Sequence, residues 1–141
     1  MAVPNPILGG GGFHHVCVKT RDWDRTMKFY QETLGCTEKI AWRLAPQRAV
    51  MLDVGDGNYL EVFEDLAYVP TANGSILHFA LRTTRLDAVV ERVRATGAKI
   101  TMEPKDVTIA TTNDAGPVPI RVAFCEGPNG EVIEFFQNTL T

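Results

Sequence analysis

Apolar positions along this chain alternate between two rhythms, and the order of the rhythms repeats. From Phe13 to Lys19 the period is two, with Val16 and Val18 on one face and His15, Cys17 and Lys19 on the other, which predicts a strand. The period then lengthens. Trp23, Met27, Tyr30 and Leu34, widened by Phe29, mark the buried stripe of a helix that Thr20 or Asp22 can cap and Gly35 stops. Three strands are predicted next, Thr37 to Leu44, Ala49 to Val54 and Asn58 to Glu64. Pro46 interrupts the first connection, and Asp56-Gly57 is a hairpin signal for the second.

After the turn formers from Tyr68 to Ser75 the series restarts. Ile76 to Arg82 reads as a strand. Leu86, Val89, Val90 and Val93 form the apolar face of a helix from Leu86 to Ala95, capped by Thr83 or Thr84 and ended by Gly97. Lys99 to Met102, Ile120 to Glu126 and Glu131 to Gln137 are the remaining strands, the last two joined across Gly127-Pro128-Asn129-Gly130. Glu103 to Pro119 reads as irregular, and Thr111 to Pro117 as a mobile loop of the kind that covers a site. The fold class is therefore α+β, built from paired βαβββ modules in one domain. A flexible leader at 1–12, rich in proline and glycine, precedes module one (13–67), a linker (68–75) and module two (76–141). Neither module could bury its sheet face alone.

Composition narrows the function classes. The formal charge is 14 − 17 = −3 and no Lys/Arg cluster is present, which argues against a nucleic-acid partner. No stretch approaches the ~20 apolar residues of a membrane span, and residues 1–12 hold no signal-peptide pattern. A cytoplasmic protein is expected. Cys17, Cys36 and Cys125 form no CxxC pair, and Cys17 and Cys125 sit in apolar strands as buried thiols.

The repeat extends to residues that carry chemistry. His15-Val16-Cys17-Val18 is echoed by His78-Phe79-Ala80-Leu81. Asp56-Gly57-Asn58-Tyr59-Leu60-Glu61-Val62-Phe63 is echoed by Asn129-Gly130-Glu131-Val132-Ile133-Glu134-Phe135-Phe136. Each module thus presents one imidazole and one carboxylate, donors that suit Zn, Ni, Fe or Mn. Glu134 shares its face with Val132 and Phe136, and a carboxylate among apolar neighbours must be paired or bound. His14 lies on the opposite face of its strand, aligned with Leu77, in a structural or rim position. Lys19, Arg43, Arg48 and Lys105 are the cations that could meet an anionic substrate.

Phe13-His14-His15-Val16, Lys28-Phe29-Tyr30-Gln31-Glu32-Thr33-Leu34-Gly35 and Gly127-Pro128-Asn129-Gly130-Glu131-Val132-Ile133-Glu134 together resemble the glyoxalase/vicinal oxygen chelate superfamily. The resemblance implies a curved mixed sheet around a metal-binding cleft, and a homodimer. The ligand set it implies, as in glyoxalase I, is His15, Glu61, His78 and Glu134 around a divalent ion: Ni, Zn, Co, Mn or Fe. The implied reaction converts a hemithioacetal to a 2-hydroxyacyl thioester through an enediolate. Glu134 is the base and Glu61 its counterpart on the other face, while the 108–117 loop excludes water. Lys19 stands where that family usually has Arg, and Asp65 where it usually has Asn. Superfamily alternatives are a methylmalonyl-CoA epimerase-like enzyme, an Fe(II) dioxygenase, a fosfomycin-type thiol transferase and a non-catalytic binding protein.

Overall fold

The computed structural model describes residues 3–33, 35–69, 74–126 and 132–141. The expected helix position Leu34, residues 70–73 of the linker, the turn 127–130 and Glu131 lie outside the described residues. The elements in chain order are β1 (Phe13–Thr20), α1 (Trp23–Met27), β2 (Thr37–Leu44), β3 (Gln47–Gly55), β4 (Asn58–Glu64), β5 (Ile76–Arg82), α2 (Leu86–Arg94), β6 (Ile100–Ile109), β7 (Val118–Glu126) and β8 (Val132–Gln137). Two βαβββ series follow one another, as the repeat in the sequence predicts, and the fold is α+β. No helix among the described residues is long and apolar enough to cross a membrane.

The chain divides into two compact units. One comprises His15–Leu77 and Ile109–Val118. Its strands run in the order β2-β3-β4-β1, with β1 and β4 parallel and the β2–β3 and β3–β4 pairs antiparallel. Val50, Leu52 and Val62 are fully buried on the helix side, where Val18, Trp23, Met27 and Tyr30 pack on them. Each such side chain contributes about 1.5–3 kcal/mol by leaving water. Asp56 (φ 54°) and Gly57 (φ 70°) close the β3–β4 hairpin with two successive left-handed residues, the conformation their sequence favours.

The first helix departs from expectation. Asp22 caps it, its Oδ1 accepting from Arg25 N at 3.1 Å. The α-helix ends at Met27, however, and Lys28–Thr33 continues as a π-helical turn. One extra residue per turn rotates the face that follows. Phe29, read as part of the buried stripe, is therefore 50% exposed.

The other unit comprises His78–Thr108 and Pro119–Thr141 with the segment ending at His14. Its strands run β5-β8-β7-β6, with β5 and β8 parallel and β7–β8 antiparallel. Leu86, Val89 and Val90 of α2 pack on Ala123, Cys125 and Phe135. Neither threonine caps α2. Arg85 holds the cap position without a side-chain bond, and Gln137 Oε1 of β8 accepts from Leu86 N at 3.1 Å. Thr83 and Thr84 instead donate their hydroxyls to Leu8 O and Gly9 O, and Arg82 N donates to Gly12 O, so the leader, expected to be flexible, is tied down at three points.

A second departure is the length of β6. It continues through Pro104 to Ile109, where an irregular segment from Glu103 is expected. As the last strand in the order β5-β8-β7-β6, it leaves one edge unpaired within the unit, the setting in which a strand tolerates proline. The irregular stretch shrinks to 110–117, and it is held. Thr111 bridges Trp42 of β2, Thr112 N donates to Ala41 O at 2.6 Å, and Asn113 Nδ2 donates to Glu38 Oε1 at 2.9 Å.

Candidate metal centre

Each unit builds one histidine–glutamate pair, and both use the same strand register. In the first, parallel pairing sets Cys17 of β1 opposite Glu61 of β4. His15 lies two residues before Cys17 and so shares its face. The result is His15 Nε2 at 3.2 Å from Glu61 Oε2, with the imidazole fully buried and the carboxylate 9% exposed. In the second unit Ala80 of β5 pairs with Glu134 of β8, and His78 again lies two residues earlier. His78 Nε2 is 3.0 Å from Glu134 Oε2, and these side chains are 10% and 7% exposed.

Flanking strands desolvate both carboxylates. Glu61 sits between Cys17 and its β3 partner Met51, neither of which reaches solvent. Glu134 sits between Ala80 and its β7 partner Phe124, whose ring meets His78 edge-on with centroids 5.5 Å apart. Buried ionisable groups persist only when another polar group or an ion compensates the lost hydration. Met51 and Phe124 are not singled out by the sequence pattern. The signal that finds them is the antiparallel partner of each glutamate.

His14 has a different task from its neighbour. It is 1% exposed, its Nε2 lies 2.5 Å from Thr141 Oγ1, and its ring lies 4.2 Å from that of Phe136. That placement agrees with a structural role. Cys17, Cys36 and Cys125 are free buried thiols.

The expected substrate cations are scattered. Lys19 is half-buried on the same face as His15 and holds its ammonium 4.9 Å from the centre of the Tyr68 ring. Arg43 is exposed and donates to Pro46 O at 3.3 Å, and Lys105 is exposed on β6. Arg48 is engaged elsewhere. It donates from its backbone N, Nε and Nη2 to the Glu64 carboxylate at 3.0, 3.1 and 2.6 Å, and its guanidinium stacks 4.9 Å from the Trp23 ring centre. The Arg48 hydrogen bonds, side chain first and then backbone, hold the Glu64 carboxyl below the usual carboxylate range. This clamp closes β4 three residues beyond Glu61. Asp65, at the position where the resemblance expects Asn, accepts from Ala67 N at 3.0 Å within a turn.

Comparison with known proteins agrees with this architecture. The family model of the Glyoxalase/Bleomycin resistance protein/Dioxygenase superfamily matches residues 12–135, and the chain belongs to that superfamily. It is 30% identical over 139 residues to a lactoylglutathione lyase of Haemophilus influenzae, covering 90% of this chain and 93% of that protein. It is 28% identical over 143 residues to a lactoylglutathione lyase of Arabidopsis thaliana; there the match covers 89% of this chain but only 44% of the plant protein's length. Among solved structures, the methylmalonyl-CoA epimerase from Mycobacterium tuberculosis shares the fold, with TM-score 0.72, 20% identity, and 99% and 93% of the two chains covered.

Proposed function

We propose that His15, Glu61, His78 and Glu134, each offering one ligand atom, hold a single divalent ion, and that the chain is a metal-dependent isomerase acting on a hemithioacetal or thioester. The observation that carries this reading is the duplicated buried His–Glu pair, built twice in one register. The donor chemistry fits. Two neutral imidazoles and two carboxylates carry a formal −2, which a 2+ ion balances, and nitrogen with oxygen donors suits Ni, Zn, Co, Mn or Fe.

When bound, the ion acts as a Lewis acid that stabilises negative charge on substrate oxygens. The protein's own part is proton transfer at carbon. Glu134 takes the proton from the hemithioacetal carbon, and the electron pair passes through an enediolate. A proton returned to the neighbouring carbon gives the 2-hydroxyacyl thioester, an isomer of the substrate, so no oxidant is needed. Met51, Phe124 and the buried strand faces keep water from the carboxylates. Similarity to lactoylglutathione lyases over most of the chain supports this class. The shared fold with an epimerase keeps proton transfer at the carbon next to a thioester carbonyl as a second reading. We also propose a homodimer, which sedimentation equilibrium would report as twice the 15.6 kDa chain mass.

The test is elemental analysis of tag-free protein beside Glu134→Gln. The wild type should carry a near-stoichiometric divalent metal and turn over methylglyoxal hemithioacetals or 2-substituted acyl thioesters. Glu134→Gln should lower kcat by at least about 100-fold while the fold persists. Protein that stays metal-free after reconstitution, or wild-type turnover by Glu134→Gln, defeats the proposal.

A further inference from the structure

The second unit holds an apolar pocket of about 490 Å³ on the side of its sheet away from His78 and Glu134. Ile133 and Phe135 of β8 flank Glu134 in sequence, so alternation turns them to the opposite face, where α2 packs. Toward the end of α2 the facing side chains shorten to Ala98 and Cys125, and space remains between them and Val93. The leader forms the remaining wall. Asn5 and Gly10 exchange backbone hydrogen bonds at 2.8 and 2.9 Å, and Asn5 Oδ1 accepts from Ile7 N and Leu8 N at 3.0 and 3.2 Å. Leu8 O accepts from Thr83 Oγ1 at 3.0 Å and Thr84 N at 3.1 Å, and the Leu8 side chain packs on the α2 core as the roof of the pocket. This anchor requires Gly9, whose φ is 69° and where a Cβ would overlap Thr84 Oγ1.

The charge at the mouth is unbalanced. α2 carries two carboxylates, and both are engaged: Arg121 donates to Asp87 at 2.8 and 2.6 Å, and Arg94 to Glu91 at 3.2 Å. Arg92 lines the pocket, is exposed, and forms no ion pair among the described residues. It also borders an adjoining hollow shared with Pro6, Ile7 and Arg85, so a second guanidinium stands beside the same mouth. Arg85 is engaged there by a single long contact, from Nη1 to Pro6 O at 3.5 Å. Glu126, the one carboxylate on the pocket wall among the described residues, lies on β7, where its N donates to Lys99 O at 2.9 Å. An apolar cavity with a few placed polar groups is the usual form of a small-molecule site. Here the polar group is a guanidinium, whose planar fork matches a carboxylate. At roughly 30 Å³ for a methylene-sized group, the volume takes a chain of about ten carbons with clearance.

We infer that this pocket is a second ligand site, separate from the metal centre, which takes a free aliphatic carboxylic acid with its chain under Leu8 and its carboxylate on Arg92. Isothermal titration of the full chain with sodium decanoate, decanol and acetate tests it. Decanoate should bind one per chain and acetate should not. Across hexanoate, octanoate and decanoate, each added methylene should tighten binding by about fourfold. Arg92→Ala, an exposed change that leaves the core intact, should weaken decanoate by about tenfold and leave decanol unaffected. Val93→Phe fills the cavity from the helix and should abolish binding of both chains. Gly9→Ala displaces the roof and should weaken both by about tenfold. Thermal melts show whether these two variants remain folded, and Arg92→Ala decides the matter if they do not.

Decanoate that fails to bind at millimolar concentration overturns the site. An equal response of decanoate and decanol to Arg92→Ala overturns the carboxylate contact, and with it the class of ligand. Affinity that rises as the protein is diluted would show a second copy of the chain competing for the pocket, and overturns the small-molecule assignment. The metal reading stands apart from all three results, because neither Arg92 nor the leader contributes a donor to the candidate centre.

Discussion

Replacing Glu64 by Gln tests how the strand that carries Glu61 is held. Three donors of Arg48 converge on this carboxylate, and the shortest contact is 2.6 Å. Glutamine keeps the size and one acceptor oxygen but loses the charge. Hydrogen bonds to a charged partner contribute about 1.5–3 kcal/mol when buried. Here Glu64 is 10% exposed and Arg48 39%, so solvent screening reduces the sum to about 1–2 kcal/mol. That corresponds to a Tm lower by roughly 3–8 °C at neutral pH.

The pH dependence follows from the direction of the shift. The folded carboxyl titrates below its unfolded value, so its contribution is complete above about pH 4.3 and fades as pH falls through the lower folded value. Urea unfolding followed by tryptophan fluorescence suits the measurement, because Trp23 lies under Arg48. The gap between wild type and Glu64→Gln should be open at pH 7 and narrow as the pH falls below about 4.3 toward the acid end. A gap of equal size at both ends would show that the amide disturbs packing rather than charge, and would refute the argument.

Two further outcomes are expected. His14→Phe should keep full metal content and lose about 1 kcal/mol through the Thr141 contact, whereas His15→Ala should lose most of the metal; elemental analysis and thermal melts of both variants check the assignment. Leu86→Ala should destabilise the second unit by about 2–4 kcal/mol, read from urea midpoints, because the side chain is 1% exposed in the α2 core.

The histidines and glutamates were legible because the repeat reports register. Equal spacing from a recognisable turn places Glu61 and Glu134 on equivalent strand positions, and period-two alternation gives the face. The Asp56-Gly57 hairpin was legible for a local reason, since few residues tolerate two successive positive φ angles. Three features were hidden because distant packing decides them. Pro104 reads as a strand breaker until β6 is known to be outermost. The π-helical turn uses residues that also suit an α-helix, so nothing local marks Phe29 as exposed. Gln137 serves the start of α2 from a strand 51 residues away in sequence, which no capping pattern could reveal.

The shared register has a consequence for folding. If β4 slipped by one residue against β1, Glu61 would turn to the helix side and Leu60 would take its place beside Cys17; β8 against β5 carries the same hazard. A misaligned chain would present at most part of the donor set. Any ion these four residues bind therefore selects the correct alignment of both parallel pairs, and withdrawing it during refolding should raise the yield of misregistered chains.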